Sequence, residues 1–235
     1  MAAASGRSRW RRRVYWFTLF GVIQFLILTA LAMLAYPGGT HVDPASPGYA
    51  FFANFFSDLG RIHAHNGVPN TLSVALFVVA LSVAGLSLIL FFLATLRDFQ
   101  VSTGLQALSG IGSVLGILTG AGFVGVAWTP ADVFPEQHIA CVLLAFRAFP
   151  AAAILYSVAI LRHPAYPRRY GVAYLTFAIL LGAYLWLLTN GPALDSAQGL
   201  LLQVAGQKAI VYATIVCMGY QGLGALGLGR AAFWR

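Results

Sequence analysis

Three histidines stand near carboxylates in the connections between apolar runs, and together they could ligate a metal ion. His63 and His65 share the longest connection with Asp58, whereas His138 follows Asp132 in a later connection. Three imidazole nitrogens and one carboxylate oxygen are a ligand set of catalytic zinc sites. The spacing is weak support, because His-x-His turns both rings to one side only in a strand. We therefore expect no cofactor, with zinc as the alternative.

Two cations interrupt runs that are otherwise apolar. Arg147 lies nine residues after His138, and Lys208 lies about two turns into the last run. A cation inside a membrane span is costly and usually faces a cavity or a partner. The sequence predicts an outward-facing polar pocket with both cations at its floor. The interpretations are a structural ion-pair network, a ligand or lipid-headgroup site, or catalysis. The predicted ligand-binding residues are Asp58, Arg61, Asp132, His138, Arg147 and Lys208.

Six apolar runs must position these residues. The chain has 235 residues, of which 60% are hydrophobic and only 9% are charged, and a bilayer core needs about 20 consecutive apolar residues per helix. Polar, proline or glycine residues separate the runs. The fold class predicted is an all-α, polytopic membrane bundle forming a single transmembrane domain over residues 1–235. The predicted spans are 14–36, 70–96, 101–128, 138–161, 170–190 and 200–228.

The charged residues divide between the two sides of this predicted bundle. Because these charges flank apolar runs, we exclude nucleic acid as a partner. The positive-inside rule then places both termini in the cytoplasm and the protein in a cell membrane, plasma or prokaryotic inner. Asp98 is the only acid on the basic side, and Arg61 is the only base in an outer connection. The basic side holds Arg7, Arg9, Arg11, Arg12, Arg13, Arg97, Arg162, Arg168, Arg169, Arg230 and Arg235. The acidic side holds Asp43, Asp58, Asp132, Glu136 and Asp195.

The outer connection 37–69 is the longest. Within it, Ser46-Pro47 is typical of a helix start and Gly60 of a helix end. Phenylalanines fall on one face between them, with Asn54 and Asp58 on the other. The pattern predicts a short amphipathic helix near residues 47–59 that lies in the outer interface or caps the bundle.

A stripe of small residues in the third span favours close helix packing. Gly112, Gly116 and Gly120 recur every four residues, and such stripes let two membrane helices approach closely. A neighbouring helix of the same chain is the expected partner. A homo-oligomer through this stripe is the alternative.

Two short motifs carry a resemblance. The segment Asn54–Gly60, followed by Asn70, and the segment Gly125–Asp132, followed by His138, resemble a bacterial and archaeal family of six-span membrane proteins of unknown function. The chain is similar more distantly to the eukaryotic damage-regulated autophagy modulators. The resemblance implies a six-span fold and no established activity, and His63-Ala-His65 departs from the family's pattern. The positions that it singles out are Ser57, Asp58, Gly60, Pro130, Asp132 and His138.

Three functions are compatible with this pattern. The leading hypothesis is a non-enzymatic multi-pass membrane protein that binds a lipid headgroup or small ligand in the outward-facing pocket, with membrane lipids as partners. The second is a metal-dependent hydrolase acting on lipid at the outer leaflet, using His63, His65 and His138. The third is a small transporter or channel.

Overall fold

The computed structural model describes the backbone of residues 2–231 and the side chains of residues 9–227. Each predicted span coincides with one α-helix, so the predicted all-helical architecture is confirmed. The largest difference is at the first span, which begins at Arg9 rather than at residue 14. The helices are α1 (Ala2–Ala35), α2 (Thr71–Thr95), α3 (Thr103–Trp128), α4 (Pro135–Arg162), α5 (Arg168–Asn190) and α6 (Ala197–Ala231).

All six helices are long and apolar enough to cross a bilayer. Their outward faces carry large apolar side chains, of which Ile23, Val79, Ile111, Ile179 and Val216 are each more than half exposed. In water this much exposed apolar surface would be unfavourable, whereas lipid is a matching solvent for it. The chain is a multi-pass membrane protein.

The helices form a ring. Each helix packs mainly on its neighbours in the sequence, and α6 returns to pack on α1. Aromatic side chains fill one half of the ring, where Phe92, Phe149, Tyr156, Tyr174 and Phe177 are buried. Phe149 and Phe177 pack edge to face with ring centroids 4.7 Å apart. These aromatic contacts join α2, α4 and α5.

The glycine stripe of α3 packs within the chain. A Cβ at Gly112 would lie 2.9 Å from the ring of Tyr156, and one at Gly120 would lie 2.6 Å from the carbonyl oxygen of Gly85. A Cβ at Gly116 would overlap the ring of Phe92. The expected partner within the chain is therefore present as α2 and α4.

The predicted amphipathic helix near residues 47–59 is shorter than expected. Only Phe56–Gly60 is helical, as one 3-10 turn, and turns precede it. Its polar side faces inward rather than toward solvent, because Asn54 is fully buried and Asp58 is 6% exposed. Their side chains accept the backbone N–H groups of Ala50 and Phe55 at 2.9 Å each. Side chains that bind nearby backbone in this way compete with helix formation.

The end of the ring opposite this segment carries an ion pair. Arg11 binds the carboxylate of Asp98, which follows α2 in a 3-10 turn, Leu96–Phe99. The hydroxyl of Tyr15 donates to the same carboxylate at 3.2 Å. The single acid predicted on the basic side is thus neutralised where α1 meets α2. Arg7, Arg230 and Arg235, which were counted on this side, lie outside the described side chains.

Candidate functional site

The connection between α1 and α2, residues 36–70, is here called the long loop, and it lies across one end of the ring. Phe56 reaches down to Phe25 of α1, with ring centroids 5.9 Å apart. The carbonyl of Leu59 accepts from Asn70 and from the hydroxyl of Ser73, each at 3.1 Å. The 3-10 turn is largely buried, because four of its five residues are shielded from solvent: Phe56, Asp58, Leu59 and Gly60. The long loop therefore closes this end of the bundle.

Lys208 of α6 points into the underside of the long loop. It is only 3% exposed. Its ammonium donates to the hydroxyl of Tyr49 and to the carbonyl of Asn54, the latter at 2.8 Å. It also lies 4.1 Å from the ring centroid of Phe56 and 5.2 Å from that of Phe51, within the range of cation–π attraction. The cation is therefore held by neutral groups.

Tyr49 and Gln207 connect Lys208 to the rest of the loop. The Tyr49 hydroxyl lies 3.0 Å from the carbonyl of Asn54 and 2.9 Å from that of Phe55, so it donates there while accepting from Lys208. Burial, with a smaller contribution from the Asp58 carboxylate, raises the pKa of Tyr49, which keeps this donor protonated. Gln207 accepts the backbone N–H of Phe56 at 2.8 Å. Two adjacent residues of α6 thus anchor the loop.

Asn54 and Asp58 form the polar centre of the long loop. The Asn54 amide donates to the carbonyl of Gly39 at 2.9 Å and to Asp58 at 3.1 Å. The second oxygen of Asp58 lies 3.2 Å from Nε2 of His65. Each of these groups binds a different stretch of the loop. The arrangement holds the loop in one conformation and leaves the Asp58 carboxylate with three partners.

Asp132 ties the long loop to the connection between α3 and α4, and His138 ties that connection to the start of α4. Asp132 accepts the backbone N–H groups of Ile62 and His63 at 3.0 and 2.9 Å. His138 is buried, and its Nδ1 lies 2.6 Å from the carbonyl of Thr129, which fixes a proton on Nδ1. The sequence predicted both as ligand-binding residues. The structure gives them anchoring contacts within the chain.

The three histidines do not share a centre. The ring of His63 is exposed and 3.8 Å from Asp132, His65 pairs with Asp58, and His138 pairs with a backbone carbonyl. Within the part of the chain that the structure describes, no group of three or more His, Cys, Asp or Glu side chains could hold a metal ion. The zinc hypothesis gains no geometric support.

Arg147 lies apart from the long loop. Its side chain is exposed in a groove between α3 and α4, whereas Lys208 is buried on α6, which packs on α1 and α5. The two cations therefore do not form the floor of one cavity, contrary to the sequence-based prediction. Arg61 is half-buried on the loop and donates from Nε to the carbonyl of His63 at 3.2 Å.

An apolar cavity of about 80 Å³ lies inside the ring below the long loop. Three hydroxyls line it, but each is bound to a carbonyl of its own helix: Thr18 to Val14, Ser87 to Ala84 and Thr214 to Ile210. The wall therefore offers hydrocarbon rather than hydrogen-bonding groups. Its other lining residues include Phe25, Leu81, Ala84, Phe123, Phe146, Val211, Ile215 and Met218.

Sequence reasoning missed three residues of this arrangement. Tyr49 and Gln207 were not singled out, although Gln207 beside Lys208 in an apolar run was a visible polar pair. Gln24 was also missed, and its amide donates to the carbonyls of Gly21 and Ala80 at 3.0 and 2.9 Å beside the cavity. Nothing in the spacing of Tyr49 indicated its role, because Lys208, from which its hydroxyl accepts, lies on α6.

Comparison with known proteins adds no relative: no protein-family model, no curated protein and no solved structure matches this chain.

Proposed function

We propose that this membrane protein binds an amphiphilic lipid with an acidic head group. The cavity inside the ring, about 80 Å³ in volume, receives the first methylenes of the hydrocarbon chain, and the head group meets Lys208 under the long loop. The proposed site is amphipathic, in place of the open polar pocket that the sequence predicted. It keeps a lipid as the ligand and assigns no catalysis.

The position of Lys208 about one helical turn from the lining of the apolar cavity carries the proposal. Val211, Ile215 and Met218 line the cavity and follow Lys208 at intervals of three, seven and ten residues, which places them along one face of α6. Val211 is about 4.5 Å along the helix from Lys208 at a rise of about 1.5 Å per residue. A cation directly above a hydrocarbon surface matches the two ends of an acidic lipid.

The contacts of Lys208 support an acidic head group. An ammonium has three N–H donors, and two of them reach Tyr49 and Asn54. Among the described side chains, no carboxylate forms a salt bridge with Lys208. A buried cation with no carboxylate in direct contact gains from a carboxylate or phosphate, because charge-assisted hydrogen bonds are about twice as strong as neutral ones.

The remaining predicted residues have a supporting role in this proposal. Three of them hold in place the long loop, which covers Lys208, and the neighbouring α3–α4 connection: Asp58, Asp132 and His138. We propose, from the charge distribution, that the long loop faces the outside of the cell membrane and both termini face the cytoplasm. We likewise propose, from the two short motifs, that the chain belongs to the six-span family named above.

Filling the cavity is expected to displace the lipid. Val211→Phe adds a ring to the cavity wall, so part of the hydrocarbon chain is excluded. Each excluded methylene costs about 0.8 kcal/mol, or about fourfold in affinity. Lipid retained per protein after mild detergent purification, counted by native mass spectrometry, should therefore fall about fourfold or more.

Val216→Phe is the matched control, because Val216 is on the same helix but 71% exposed. It makes the same change of side chain and should leave lipid retention unchanged. Ala84→Leu fills the cavity from α2 and guards against a misfolded Val211 variant. Equal retention in well-folded Val211→Phe, Ala84→Leu and Val216→Phe proteins would contradict the proposed site.

A further inference from the structure

Arg147 is a cation on the outward face of a membrane helix. Its neighbours in the groove between α3 and α4 are apolar: Leu115, Leu118, Ala140, Leu143, Leu144 and Ala148. The structure gives its guanidinium no ion pair, hydrogen bond or aromatic contact among the described residues. Ionisable side chains inside membranes almost always face a bundle interior and have a partner, so this position is unusual.

Arg147 also lies near the middle of the membrane. It is 12 residues from Pro135 and 15 from Arg162, the two ends of α4. At a rise of about 1.5 Å per residue, these intervals are about 18 and 22 Å. The bilayer core is about 30 Å thick, so the centre of the core falls close to Arg147. The headgroup layers on both sides are distant.

This chain has no carboxylate at that depth. Its six acidic residues all lie in connections between the spans or in the terminal turns beside them, and Asp98 is already bound to Arg11. A second copy of the chain would bring the same acids at the same depths. The counter-ion for Arg147 must therefore come from a different molecule.

We infer that the α3–α4 groove docks a transmembrane helix of another protein that carries an aspartate or glutamate at mid-membrane depth. The groove is open, with a volume of about 460 Å³. Ala148 directly follows Arg147 and Ala140 lies about two turns before it, and small residues let helices approach closely in lipid. The carboxylate pairs with the guanidinium, and apolar side chains of the partner helix cover the leucines.

The test uses a designed peptide as the partner. A 22-residue leucine–alanine helix with one central glutamate, labelled for fluorescence transfer, is titrated in liposomes of phosphatidylcholine against the full-length protein. Its matched probe has glutamine at the same position. We expect the glutamate peptide to associate on the order of tenfold more tightly than the glutamine peptide. Arg147→Leu should abolish that difference, and Arg147→Lys should retain part of it.

Two outcomes would overturn the inference. One is equal association of the glutamate and glutamine peptides with the wild-type protein. The other is a glutamate preference that persists in Arg147→Leu. Adding phosphatidylglycerol provides a third such outcome: if it removes the glutamate preference, an anionic lipid rather than a helix is the occupant. Because Arg147 is exposed, Arg147→Leu should fold, which an unchanged melting temperature would verify.

Discussion

Replacement of Asn54 by alanine should make tryptic cleavage after Arg61 about 100-fold faster. Arg61 is the only lysine or arginine in the long loop, so this one cut reports opening of the loop. The Asn54 amide binds Gly39, Asp58 and the N–H of Ala50. Its loss leaves buried backbone groups unsatisfied at about 1–3 kcal/mol each. A loss of about 3 kcal/mol in local opening free energy corresponds to roughly two orders of magnitude in rate.

Asn190→Ala provides the control for this experiment. Asn190 is exposed, and its amide contacts only the end of its own helix. The cleavage rate after Arg61 should therefore match that of the wild type. The fragments ending at residue 61 are followed by mass spectrometry in detergent micelles. A rate for Asn54→Ala within about twofold of the wild type would mean that Asn54 does not hold the loop closed.

The second large effect is expected at Lys208. Lys208→Met should weaken binding of oleate, a lipid with a carboxylate head, by about 10- to 100-fold. Hydrogen bonds to charged groups contribute about 1.5–3 kcal/mol, which converts to this range. Methionine fills a space similar to that of the lysine stem and packs well against aromatic rings. The surrounding rings of Tyr49, Phe51 and Phe56 should therefore keep their positions.

Oleyl alcohol is the matched ligand for this prediction, because it has the same chain and an uncharged head. Its affinity should change little in Lys208→Met, since the cavity is untouched. Both ligands are measured by competition against tritiated oleate on the purified full-length protein. A loss of equal size for oleate and oleyl alcohol would show that Lys208 acts on the shape of the site and not on the acidic head.

The six helices were predictable because hydrophobic length alone distinguishes a span. Breaks such as Arg97-Asp98 and Gly191-Pro192 then located their ends within a few residues. The face of each helix that points inward was harder to predict from the sequence. Both α4 and α6 are apolar around most of their circumference, so hydropathy did not show that Arg147 faces outward and Lys208 inward. That difference is decided by packing against neighbouring helices.

The long loop shows a second limit of sequence reasoning. The phenylalanine spacing predicted an amphipathic helix near residues 47–59, yet only Phe56–Gly60 is helical, and Asn54 and Asp58 are buried. Local spacing could not reveal that Lys208 and Gln207, more than 150 residues away in the chain, would bind this segment. Asp58, Asp132, His138 and Lys208 were predicted to bind a ligand, but the groups of the chain that they contact became visible only with the fold.

Photo-crosslinking with a fatty acid that carries a diazirine on one of the methylenes nearest its carboxylate tests the central claim most directly. The full-length protein is irradiated in membranes, and crosslinked residues are identified by mass spectrometry. If the chain occupies the ring, the crosslinks should fall on cavity residues such as Phe25, Leu81 and Val211, and excess oleate should suppress them. Crosslinks confined to outward residues such as Val216, Ile111 and Ile179, with none in the cavity, would contradict the account.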